Sequence, residues 1–242
     1  MQAALTIIRY KKRFIPFAFL AMALHRLPLW LNKEISFFKL MGCGKNGTFD
    51  KVPDLQQWAI LTALPQKFAV QEKQFPQQAI LKKLYGGFIS QWFTFFSCET
   101  YTLFLEAIEG HGTWDGKEVF GELPAKSDYE GLIATLTRAT VRINKLKYFW
   151  QHVAPVASQM ATAPGFLTSF GIGEVPWIKQ ATFSVWDSKA AMKAFAYGMK
   201  QHAEVIVKTR KEKWYSEDMF VRFKVLHSSG TLLNRNVLAG KA

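Results

Sequence analysis

"TIIRYKKRFIPFAFLAMALHRLPLWLNKEISFFKLMGCG", residues 6–44, decides the fold, because its pattern returns at residues 135–173 as "TLTRATVRINKLKYFWQHVAPVASQMATAPGFLTSFGIG". Aligned without a gap, Thr6 meets Thr135, Arg9 meets Arg138, Arg13 meets Arg142 and Phe37 meets Phe166. Gly42 and Gly44 meet Gly171 and Gly173. Self-similarity at a fixed offset is the mark of an internal duplication. The identities are few, and the common order of parts is the stronger evidence.

Each half opens on a strand-like run, "ALTIIRY" or "LIATLTRATVRI", and continues into a helix-like run, "FIPFAFLAMALHRL" or "LKYFWQHVAPVASQM". A G-x-G turn and a second strand follow, "QQWAILTAL" or "KQATFSVW". Pro65 in one half and Asp187-Ser188 in the other open a second helix, the serine or aspartate acting as N-cap. "SQWFTFFSC" and "DMFVRFKVL" supply the last strand, and each half then ends on a histidine and Gly-Thr, at His111 to Thr113 and at His227 to Thr231. Strand–helix–strand taken twice is the ferredoxin-like split βαβ arrangement, whose sheet carries helices on one face and needs cover on the other. The expected fold is α+β: tandem duplicated ferredoxin-like halves forming a pseudo-dimeric α+β barrel, with two independent modules as the alternative. Residues 1–114 form the N-terminal half, the Pro/Gly/charge-rich 115–130 a connector, and 131–242 the C-terminal half.

Composition narrows the function. Of 242 residues, 49% are hydrophobic and 15% aromatic, which describes a folded chain with room for a large flat or greasy ligand. The formal charge is +13, so the surface attracts acidic proteins, anionic lipid or polyanions. The basic residues are dispersed, with no zinc-finger spacing and no aromatic/basic signature of an RNA-binding sheet, so nucleic acid is not an expected partner. Two cysteines, Cys43 and Cys98, without a C-x-x-C argue against a disulfide framework or a zinc site and fit a reducing, cytoplasmic setting with peripheral membrane contact. "RFIPFAFLAMALHRLPLWL" follows Lys11-Lys12-Arg13 like a leader or anchor, but His25, Arg26 and Pro28 interrupt it. A partly buried helix is the expected reading.

The chemistry-bearing stretch is "MKAFAYGMKQHAEVIVKTR", residues 192–210. At helical spacing Met192, Phe195, Met199, His202 and Ile206 share one face, so a histidine sits inside an apolar stripe. The corresponding position of the first half is Phe75, after Gln74 as His202 follows Gln201. One copy of a duplicated scaffold has an imidazole where the other keeps a plain hydrophobe.

Several segments resemble the spheroidene monooxygenase family of carotenoid-modifying proteins: "LTRATVR" (136–142), "GIGEVPWIKQATFSVW" (171–186), "AMKAFAY" (191–197) and "HAEVIVKTRKEKWYSEDMFVRFKVL" (202–226). "FFKLMGCGKNGTF" and "YTLFLEAIEGHGTWDG" extend the likeness to the first half, while Leu232 stands where that pattern leads one to expect tryptophan. The resemblance implies a haem-dependent monooxygenase that inserts oxygen from O2 into an apolar carotenoid-like substrate to form a keto group. The basic surface would serve an acidic electron donor such as ferredoxin, or a membrane from which the substrate is drawn. Other haem groups share the duplicated barrel, among them chlorite dismutases and dye-decolorising peroxidases. The alternatives are therefore a peroxidase- or dehydratase-like haem enzyme, a non-enzymatic haem or lipid carrier, or a basic binding module without a cofactor.

O2 activation requires a redox cofactor; the chain has no dinucleotide fingerprint, whereas haem needs one axial ligand and a greasy slot. His202 is the expected iron ligand and His152, on "YFWQHVAP", the second choice. Arg210, two turns beyond His202, is placed to pair with a propionate or polarise bound oxygen. Gln180 and Thr182 share a strand face and are candidates for hydrogen bonding to oxygen. Arg138, Arg142, Trp214 and Tyr215 are candidates for lining the cofactor site. The competing reading of each is ordinary: a core histidine bonded to a carbonyl, a solvated arginine at a helix end, aromatic packing.

Overall fold

A strand buried on both faces reads as a continuous apolar run, and "ALTIIRY" is such a strand: Ala3 to Ile8 are buried without interruption. The computed structural model describes residues 1–45, 51–65, 76–198, 208–209, 211–238 and 240–241, apart from the side chains of 152–158. In the first half β1 (Gln2–Arg9) leads through a 3-10 turn at Lys12–Phe14 into α1 (Ile15–Leu24) and α2 (Arg26–Leu31). There follow β2 (Phe37–Gly44), β3 (Pro53–Leu64), α3 (Gln77–Phe95) and β4 (Glu99–Gly112). The second half repeats the order as β5 (Ile133–Val141), α4 (Leu146–Ala161), β6 (Phe166–Val175), β7 (Lys179–Trp186), α5 (Lys189–Gly198) and β8 (Tyr215–Gly230).

The strands are hydrogen-bonded in the closed order β1-β3-β2-β6-β7-β5-β8-β4. Each half keeps the ferredoxin sequence of neighbours, β4-β1-β3-β2 and β8-β5-β7-β6, so the expected duplicated α+β barrel is the architecture. By packing, the chain divides into two compact units, residues 1–42 with 54–106 and 225–242, and residues 43–53 with 107–224.

Two expectations at the second helix of the first half are corrected. "SQWFTFFSC" is not the closing strand: it lies in the last part of α3 and the turn after it, and β4 begins at Glu99. Its aromatic run suits a strand by composition, but Leu81, Leu84, Tyr85, Ile89 and Phe93 are buried at helical spacing, and packing overrides propensity. Nor does Pro65 start the helix, which begins at Gln77 after Pro76; Gly86, at φ 85°, kinks it midway. The other cap is as expected, with the Ser188 hydroxyl accepting the Ala191 N–H at 3.2 Å at the start of α5.

The Gly-Thr endings have a backbone cause. Gly112 and Gly230 take φ of 90° and 83°, and a Cβ on them would stand 2.2 Å from Asp218 O and 2.1 Å from Thr100 O. The following N–H groups, of Thr113 and Thr231, donate to those same two carbonyls at 3.0 Å. In each copy a carboxylate then clasps the turn: Glu217 accepts from Thr113 Oγ1 and Gly116 N, and Glu99 from Thr231 Oγ1, Leu233 N and Asn234 N. Leu232, the departure from the expected tryptophan, is buried, as is Leu238 beyond it, so the C-terminal tail is docked. Gly230→Ala should lower stability by at least about 2 kcal/mol, through left-handed strain plus the clash with Thr100 O, measured by urea denaturation.

Candidate active site

The two copies cover the helix-bearing face of their sheets differently. In the first unit that face presents Thr6, Ile8, Trp58, Ile60 and Thr102, with Thr6 opposite Ile60 and Thr102, and Ile8 opposite Trp58. The Thr6 hydroxyl is bonded to Tyr85 Oη at 2.7 Å and to Thr102 Oγ1 at 2.9 Å. Ile8 and Ile60 are buried in one cluster with Leu81, Leu84, Ile89 and Phe93 of α3. What stays open there is a small, mainly apolar cavity between Ile8, Trp58 and Ile60 of the sheet and Ala18, His25 and Phe93 of the helices.

In the second unit the same rungs are rebuilt with small polar residues. The register sets Ser169 beside Ser184, Ser184 beside Thr135, and Thr135 beside Arg222. The next rung outward is Gly171, Thr182, Thr137 and Phe220. Thr137 is the duplicate of Ile8, yet it is exposed although it lies mid-strand in a strand paired on both sides. Thr135 is the duplicate of Thr6, but its buried hydroxyl has no partner among the described residues, and neither has that of Thr182. The result is a hydroxyl-lined floor, open at Thr137 and flanked by the Phe220 ring, against which His111 stacks at 5.8 Å.

An ion cluster holds one margin of this floor. Glu109, almost wholly buried, accepts from Lys189 Nζ at 2.7 Å, from Ser127 N at 2.8 Å, and from Arg222 Nη1. Lys189 is the first residue of α5, where a cation opposes the helix dipole, and the carboxylate offsets that cost. Burial pushes the Glu109 carboxyl up, but the hydrogen bonds from Lys189, Arg222 and the Ser127 N–H together outweigh it and hold the pKa to about 2. The cluster therefore ties the connector, α5 and β8 together.

The expected site residues separate into groups. Thr182 lies on the open rung, and Gln180 one rung along on the same face, its amide donating to Val175 O at 3.0 Å. Arg138 lies on the opposite face of β5, 1% exposed. It donates to Glu217 and packs 5.3 Å from the Trp114 ring, with Asp115 and Glu174 at 3.8 and 4.0 Å. It serves there as the internal counter-charge of the turn at residues 113–117. Trp214 is fully buried against Val141, Phe149 and Trp150, with Tyr215 packed on the edge. Arg142, exposed and just past β5 rather than on it, donates to Tyr215 O at 3.2 Å. These three meet as a packing cluster at the start of α4, not on the open rung. His202 and Arg210, like Gln74 and Phe75, lie outside the described residues; His152 is on α4, with its side chain outside them.

Other ligand sets fare poorly. Cys98 is a weak thiolate source, burial pushing its thiol up to about 12 despite a hydrogen bond with Tyr10 that acts the other way. His25 is buried in the first unit edge-on to Trp92 and Phe93, and burial lowers its pKa to about 4. Among the described residues no three His, Cys, Asp or Glu side chains cluster as a metal site. Thr135, Thr137, Arg222, Glu109 and Lys189 were not singled out from the sequence. The available signal was the replacement of Ile8 by Thr137 in the duplication.

The spheroidene monooxygenase of Rhodobacter capsulatus is 29% identical over 242 residues, covering 99% of this chain and 96% of that protein. The Cereibacter sphaeroides spheroidene monooxygenase is 31% identical over 86% of this chain and 60% of its own length. This chain is similar to spheroidene monooxygenases along nearly its whole length. The Rubrivivax gelatinosus member is 41% identical over 124 residues, which make up 51% of this chain and 46% of that protein. No protein-family model matches the sequence. Two crystal structures of aldoxime dehydratase, one holding butyraldoxime, superpose with TM-scores of 0.60 and 0.59 over 93% of this chain and 79–80% of theirs. At 8% identity they show a shared fold alone. Like these relatives the chain is an oxygenase, and its second unit carries the open, hydroxyl-lined rung.

Glu109→Gln would leave Lys189 and Arg222 buried without their shared anion. It should cost about 3–5 kcal/mol in urea denaturation at neutral pH. In the wild type the folded carboxyl has the lower pKa, so Glu109 adds stability above about 4.5, and the contribution disappears as pH falls from there through about 2. The variant should lack that acid-side decline.

Proposed function

We propose that this oxygenase is haem-dependent and acts on a carotenoid-like polyene, using O2 and forming a keto group. The observation that carries the reading is the difference between the copies: the rung filled by Ile8 and Trp58 in the first unit is, in the second, an exposed Thr137 beside Thr182 and Gly171. Small side chains across three neighbouring strands leave a flat surface suited to a planar group, and the unpartnered hydroxyls of Thr135 and Thr182 are available to a ligand. When bound, haem supplies the reduction and activation of O2 that no side chain provides.

The chain's own residues would do the rest. His202, in the segment after α5, would hold the iron, with His152 of α4 as the second choice. The Thr137 and Thr182 hydroxyls would donate hydrogen bonds to oxygen held near them, Gln180 would extend that polar strip, and Arg210 would pair with a carboxylate at the rim. Phe220 would wall one side and exclude water. A polyene offers few polar handles, so apolar contact along its length would have to select the methylene that reacts. The net charge of +13 favours an acidic electron donor of the ferredoxin class.

Absorption spectra of the protein loaded with haem, before and after His202→Ala, test the ligand. A Soret band is expected, lost or strongly shifted in the variant; a band left unchanged transfers the ligation to His152 or elsewhere. Product analysis with spheroidene, reductant and O2 tests the reaction, and a keto carotenoid is expected. Thr137→Trp, which refills the rung, should reduce turnover at least about a hundredfold with little change in stability. Undiminished turnover in that variant would remove the open rung from the site.

A further inference from the structure

The first unit carries an apolar surface that none of the chemistry above uses. α1 is "IPFAFLAMAL", apolar on every side, a composition expected of a helix that is buried or in contact with lipid. Only its inner side is covered: Ala18, Ala21 and, beyond them, His25 and Leu29 are buried. Facing outward are Phe17, Phe19, Leu20 and Leu24, then Leu27, Trp30 (74% exposed) and Leu31 of α2. α3 adds Phe88 and Phe95 (79% exposed). The patch is continuous, since Phe96 lies 4.7 Å from Phe17 and 4.9 Å from Phe95, and His25 lies 6.1 Å from Phe88. A patch of this extent marks an interaction surface.

Charge chooses the occupant. Residues 11–33 contain Lys11, Lys12, Arg13, Arg26 and Lys33, all exposed, and no Asp or Glu. An apolar strip bordered by five cations, with Glu34 next to Lys33 as an exposed acid at its end, matches the boundary between acyl chains and anionic headgroups. A homodimer face would bring these cations together. By length and mean hydropathy the stretch Lys12–Leu31 is sufficient to cross a bilayer, but it is divided at His25, and its inner side is part of the first unit's core. Crossing would require withdrawing Ala18, Ala21, His25 and Leu29 from their packing.

We infer that α1, α2 and the exposed rings of α3 seat the first unit on the surface of an anionic bilayer, with the helices lying in its plane and Lys11 to Arg13, Arg26 and Lys33 contacting headgroups. The inference does not depend on the substrate proposed above, although a bilayer is where a polyene would be found.

The test is co-sedimentation of the full chain with vesicles of phosphatidylcholine alone and of phosphatidylcholine mixed with phosphatidylglycerol. Binding is expected to the mixed vesicles, weakened by salt, and released by an alkaline carbonate wash. Lys12→Gln with Arg13→Gln should weaken it by about thirtyfold, and Leu27→Ser with Trp30→Ser by at least about tenfold, both with unchanged circular dichroism and unchanged activity on detergent-dispersed substrate. Absence of binding to the mixed vesicles overturns the inference, as does equal binding to both compositions. Retention after the carbonate wash would mean a spanning helix and also overturns it. So does a concentration-dependent dimer that the Leu27/Trp30 substitutions abolish while vesicle binding persists, because a second copy would then be the occupant. Because activity on dispersed substrate is read separately, failure here and failure of the proposed reaction are distinguishable.

Discussion

A sheet face cannot be left half covered, and the two copies of this duplicated unit meet that constraint in opposite ways. In the first, α3 lays Leu81, Leu84, Tyr85 and Ile89 over Ile8 and Ile60, and even the Thr6 hydroxyl is consumed by Tyr85. In the second, the described part of α5 covers the lower rung, where Met192 and Phe195 pack with Ile133 and Trp186. Above it come a rung of buried hydroxyls and then the exposed Thr137. Since close packing is the ordinary state of a protein interior, a central strand left uncovered is a place kept for something else.

Keeping it open makes demands elsewhere. Lys189, Arg222 and Glu109 are buried together beside the floor, and each cation would be untenable without the shared carboxylate. On the other face of the same strand, Arg138 is buried against Glu217, which also clasps the turn at residues 113–117. The two clusters fix β5 and β8 from both sides, so the open rung rests on strands that packing at the rung itself does not have to hold. The first unit, filled with apolar side chains, has no need of such a pair, and Arg9, the duplicate of Arg138, makes a plainer bond to Asp54 at 2.7 Å.

Division of labour follows from the duplication. One copy has its sheet covered mainly by apolar side chains and its outer helices greasy and cationic; the other has a polar, partly open floor. Under the proposed reaction and the proposed membrane contact, lipid and oxygen chemistry would call for different surfaces, and two copies of the unit would let each surface diverge separately.

The sequence by itself determined the duplication and the class of fold, because buried strands and Gly-Thr endings each impose a local backbone requirement visible in residue type; the G-x-G pairs, expected as turns, instead lie inside β2 and β6. The likeness to spheroidene monooxygenases was legible too, in the long run from His202 to Leu226. What it misplaced were "SQWFTFFSC", whose aromatics suit strand or helix until packing decides, and the start of α3. What only the tertiary structure decided was which side chains share a rung. Thr135, Thr137, Thr182 and Ser184 come from two strands more than forty residues apart in sequence, and Glu109, Lys189 and Arg222 from three distant segments. Alternation along one strand tells which residues share a face but not which face it is, so Arg138 and Thr137, adjacent in the chain, fall on opposite sides of the sheet: one inside an ion cluster, the other on the open floor.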